Sequence, residues 1–107
     1  MGTAVSLQPP PQYDAVPPVP VIEHVMSQEE INKTCEALYW KSAGLKLEAG
    51  THFRGCSMPA IYANTYICEI WYINDNRVRR HEIGHCNGWP ADHPGGIFPP
   101  EDNPWHR

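Results

Sequence analysis

With 107 residues and a net charge of −4, the chain has room for one domain and lacks the positive charge that would favour nucleic acid or an anionic membrane as partner. Apolar residues make up 41% and charged ones 19%, an ordinary soluble balance, and no apolar run is long enough to span a bilayer. The one basic cluster, Arg77, Arg79 and Arg80, is too short to act as an electrostatic footprint.

Six of the 12 prolines fall within the first 20 residues. Pro9-Pro10-Pro11, Pro17-Pro18 and Pro20 oppose helix and favour polyproline geometry. Residues 1–23 are therefore expected to form a proline-rich flexible arm, ahead of a domain at 24–107. Met1 to Leu7 has neither the positive start nor the apolar stretch of a signal peptide.

Ser27-Gln28-Glu29-Glu30 reads as a capping box. Behind it Ile31, Cys35, Leu38 and Tyr39 share one helical face, which predicts a helix over 28–42 stopped by Gly44. His52 to Met58 is a candidate strand in which Gly55 marks a bulge or a close backbone approach. Tyr66 to Ile73 is the stronger strand, with Cys68, Ile70 and Tyr72 on one side and Ile67, Glu69, Trp71 and Ile73 on the other. Pro59 and Asn64 lie in a loop or short extra strand between them. Asn74-Asp75-Asn76 ends the strand and caps a second helix over 76–87, which Gly88 terminates and Pro90 keeps from resuming. From about Pro94 the Pro- and Gly-rich tail is expected to be irregular.

The second helix carries the chemistry. His81 and His85 are four residues apart, so both imidazoles lie on one face, one turn apart, where they can grip a single ion. Glu82 is rotated by roughly 100° about the axis, beside the ion rather than on it, in the position of a general base for water. A shuffled chain of this composition would contain the pattern with a probability of roughly 2%, a moderate signal by itself. Context strengthens it: strand, capped helix, glycine turn and then His93. That order suits a catalytic Zn²⁺ site with three protein ligands and one open position. His93 is the first choice for third ligand. Asp92 is the alternative, as ligand or as orienting partner, and Glu101 and His106 are outside candidates. His24 and His52 lack motif context and read as surface or packing residues. Tyr62, Tyr66 and Tyr72 are candidates for polarising a carbonyl, with half-buried core positions as the competing reading.

His81-Glu82-Ile83-Gly84-His85-Cys86-Asn87-Gly88-Trp89 followed by His93 resembles the zincin metallopeptidases, and comes nearest to the metzincin pattern. The resemblance implies His81, His85 and His93 as zinc ligands and Glu82 as base. His93 lies two residues beyond the third-ligand position of that pattern, which Ala91 occupies, and no methionine follows. Cys35-Glu36-Ala37-Leu38, Gly55-Cys56, Cys68-Glu69-Ile70 and His85-Cys86 also look like small cysteine-containing HExxH proteins of proteobacteria and phages. That likeness implies a periplasmic, secreted or virion-associated setting.

The expectation is a small zincin-like α+β domain, with two helices on a short antiparallel sheet and the Tyr66–Ile73 strand near the active-site helix. In zincins such a strand takes an extended substrate as one more strand. The four cysteines allow three pairings, and so small a core benefits from staples. Cys56–Cys68 across adjacent strands and Cys35–Cys86 between the helices are the expected pair, with four free thiols as the alternative. The expected activity is hydrolysis of a peptide or protein substrate through a metal-activated water, by a monomer. The alternatives are a zincin-like binding protein without turnover and a structural zinc or disulfide module of a phage or envelope assembly.

Overall fold

The computed structural model describes residues 7–43 and 53–97, with 40–43 described by backbone alone. After a 3-10 turn at Pro11–Tyr13 come β1 (Val21–Val25), α1 (Gln28–Ala43), β2 (Gly55–Tyr62), β3 (Thr65–Tyr72) and α2 (Asn76–Cys86). The architecture is α+β. His52, Gly44, Glu101 and His106, and the tail beyond Ile97, lie outside the described residues.

Local chemistry explains the element boundaries. Glu30 N donates to Ser27 Oγ at 3.2 Å and Ser27 N donates to Glu30 Oε1 at 3.3 Å, so the capping box opens α1. Asp75 accepts from Arg77 N at 2.9 Å and caps α2. β2 and β3 meet in a two-residue turn in which Ala63 and Asn64 both have positive φ, 48° and 64°. That geometry matches the twist of a hairpin, so β2 runs on to Tyr62 instead of ending near Met58. Pro59 is tolerated because β2 is an edge strand.

The sheet order is β1-β3-β2, with β1 parallel and β2 antiparallel to β3. The sheet is therefore mixed, through a strand the sequence reading did not assign. β3 is the central strand, hydrogen-bonded on both sides. It has no free edge for an added substrate strand; the edges belong to β1 and β2. On one face, Cys68, Ile70 and Tyr72, placed there by the alternation of β3, form the core with Val78 of α2. On the other face Trp71 stacks on His24, whose Nε2 is 2.6 Å from Glu69. His24 is thus a packing residue.

The cysteines pair as Cys35–Cys56 and Cys68–Cys86, and this corrects the expected pairing. The register is the reason. Cys56 lies opposite Trp71 and Cys68 opposite Pro59, three residues apart along the strand. That offset is about 10 Å, beyond the reach of a disulfide. Cys56 shares Trp71's face and Cys68 the opposite one, so each bridge ties one helix to one side of the sheet.

The proline-rich segment also departs from expectation. Residues 7–20 pack on the domain instead of extending from it. Gln8, Pro9 and Pro10 are buried, Asn87 donates to the Tyr13 and Ala15 carbonyls, and Arg80 pairs with Asp14. β1 itself crosses the expected domain boundary at residue 23. Prolines exclude helix but not burial, and these lie against the small residues Gly84 and Gly95. The basic cluster is spent internally: Arg77 meets Asp75, Arg79 meets Glu23 and Arg80 meets Asp14.

Candidate metal centre

α2 presents His81 and His85 side by side, as the i, i+4 spacing requires. At its end Asn87 caps the helix and Gly88 takes φ +96°, which reverses the chain. A turn closed by His93 N donating to the Pro90 carbonyl at 2.9 Å then returns His93 to the helix. His93 adopts φ +58°, a left-handed conformation that is uncommon for a side-chain-bearing residue and recurs at functional sites.

The three Nε2 atoms form a near-equilateral triangle: 3.2 Å between His81 and His85, 3.1 Å between His85 and His93, and 3.1 Å between His93 and His81. Together the three residues can hold a metal ion. A tetrahedral ion with Zn–N bonds of 2.0–2.1 Å would need ligand atoms about 3.3–3.4 Å apart, so the triangle fits to about 0.2 Å. The tautomers agree. His81 Nδ1 is 2.5 Å from the Leu7 carbonyl and His85 Nδ1 is 2.7 Å from the Trp89 carbonyl. Each Nδ1 must donate there, which leaves the Nε2 lone pairs facing one another. A cation resolves that repulsion.

Burial adds to this. It pushes His81 down to about 4, against the opposing hydrogen bond to Leu7, and it lowers His85 and His93 as well. All three imidazoles are neutral at pH 7, the form that binds metal. Asp92 is exposed and is not part of the cluster.

Glu82 packs against β2 beside Gly55 and Ser57. It is only 5% exposed, and burial pushes its carboxyl up to about 8, moderated by a hydrogen bond from Ser57. Gly55 makes room for it: a Cβ there would lie 3.1 Å from Glu82 Cγ and 2.8 Å from the Trp71 carbonyl. This is the close backbone approach expected at Gly55. Tyr72 donates to Glu23 at 2.8 Å, while Tyr62 and Tyr66 are exposed beside the β2–β3 turn.

Sequence reasoning missed Trp89, Leu7 and Ser57. Trp89 is 2% exposed, stacks on His85 with ring centroids 5.0 Å apart, and meets His81 and His93 edge-on at 5.1 and 4.9 Å. Its indole N–H donates to the Pro94 carbonyl at 2.9 Å. A tryptophan directly after the helix-ending glycine was the available signal. Leu7 contributes only a carbonyl, which no side-chain pattern reveals. No family model, curated protein or solved structure matches the chain.

Proposed function

We propose that the protein is a zinc-dependent metallopeptidase of the zincin type, working outside the cytoplasm. The observation that carries this reading is the triangle of three neutral imidazoles on and beyond α2, with a carboxyl one residue from the first of them. His81, His85 and His93 would hold the ion, and Glu82 would serve as base. The bound ion would supply Lewis acidity to a substrate carbonyl and acidify the attacking water. Burial holds Glu82 protonated up to about pH 8, so its carboxyl would first have to give up that proton; it could then accept one from the water and return it to the leaving amine. Trp89 and the Leu7 carbonyl would keep the ligands oriented and dry on one side. Two disulfides fit an oxidising compartment. No described helix is long and apolar enough to cross a membrane.

The burial of Glu82 against Ser57 favours a second reading, in which the ion is bound without turnover. One variant separates the two. Glu82→Gln should keep full zinc stoichiometry and lose peptide cleavage by several orders of magnitude. Wild type that holds zinc and cuts nothing in a diverse peptide library supports binding without turnover. A wild type that takes up no zinc ends both readings.

A further inference from the structure

We infer that the N-terminal segment Leu7–Pro10 is a wall of the metal centre, so that its docking and metal binding strengthen one another. The inference rests on the metal reading above and goes beyond it, because it assigns a role to residues far in sequence from the ligands.

Contacts on both sides of the segment converge on this. On the α2 side, the Leu7 carbonyl accepts from His81 Nδ1 at 2.5 Å, and Gln8 Nε2 donates to the Arg77 carbonyl at 3.0 Å. Pro9 lies against Gly84, between the two helical ligands. A Cβ on Gly84 would come within 2.8 and 2.9 Å of the Pro9 ring and 3.1 Å of Trp89. On the other side, Gln8 and Ile97 exchange reciprocal backbone hydrogen bonds of 2.7 and 2.9 Å. Gly96 approaches Leu7 so closely that a Cβ would stand 3.1 Å from Leu7 Cδ1. The segment is thus inserted between the helix that carries His81 and His85 and the loop that carries His93.

Two physical consequences follow from that position. The Leu7 carbonyl sets the tautomer and ring orientation of His81, a kind of partner whose loss costs roughly 10–100-fold in metal affinity. The Gln8–Ile97 pair anchors the loop that delivers His93. Linkage makes the coupling reciprocal: whatever factor docking adds to metal affinity, the metal adds to docking.

The test uses the full oxidised chain and Zn²⁺ itself. Amide hydrogen exchange at Gln8 and Ile97, both donors in the pair, should slow about tenfold or more when zinc saturates the protein. Amides of β3 should change little. Gln8→Pro removes one of the paired amides and the bond to Arg77 without touching an imidazole, and it should lower zinc affinity at least tenfold in a chelator competition. Zinc bound at one equivalent with unchanged exchange at Gln8 and Ile97 overturns the coupling. So does wild-type affinity in a folded Gln8→Pro protein. Wild type that binds no zinc overturns the metal reading, and this inference with it.

Discussion

Acidification distinguishes a buried imidazole site from one on the surface. Three exposed histidines with ordinary pKa values near 6.5 would each lose about tenfold in availability at pH 5.5, or about a thousandfold together. Burial holds His81 at about 4, so at pH 5.5 it stays almost wholly neutral. His85 and His93 are lowered too, each chiefly by burial, so each loses less than tenfold. Zinc affinity is therefore expected to fall by less than about a hundredfold between pH 7.5 and 5.5, because proton competition acts on only two of three ligands. Competition with a chelator of known proton affinities, at pH 7.5, 6.5 and 5.5, measures this directly. A thousandfold loss would refute the claim that the triad is shielded from water by Trp89, Leu7 and the turn at Pro90–His93.

Replacing Cys68 and Cys86 together by alanine should cost about 3 kcal/mol, from the chain entropy of a closed loop whose ends are 18 residues apart. Thermal unfolding without reductant reads the loss, and an unchanged midpoint would contradict the pairing. Gly55→Ala places a Cβ 2.8 Å from the Trp71 carbonyl and 2.9 Å from Val78 Cγ1. It should destabilise by about 1–3 kcal/mol through overpacking, visible in a denaturant titration; a neutral or stabilising result would mean that α2 and β2 are less closely apposed. Glu82 has a folded pKa raised to about 8 by burial, so the native state holds a proton that the unfolded chain releases. Its contribution is present below the ordinary value near 4.5 and is lost as pH rises through about 8. The metal-free Glu82→Gln variant should lack this decline, so its stability advantage over wild type should grow from pH 5 to pH 8. An advantage that does not grow with pH would place Glu82 in contact with water.

Much of the local structure could be read from neighbours in the chain. The capping box at Ser27 and Glu30, the Asp75 cap and the alternation of Cys68, Ile70 and Tyr72 are short-range relations, and the structure has all of them. The same holds for the shared face of His81 and His85. The β2–β3 turn was less legible, because Ala63 is not a residue that advertises positive φ. Tyr62 and Tyr66 lie beside that turn, and their type alone does not reveal their exposure.

The residues alone determined both helices, the central strand β3 and which imidazoles share a helical face, because backbone geometry sets those relations within a few positions. Tertiary structure decided the rest. Cysteine pairing follows from strand register, which places Cys56 and Cys68 on opposite faces and out of reach. β1 became a strand only because β3 was there to pair with it. The segment around Leu7 was drawn in because a glycine on α2 and two in the loop after His93 leave space for its prolines and for the Leu7 side chain. These outcomes depend on chain segments tens of residues apart meeting in three dimensions, and no local pattern encodes that meeting.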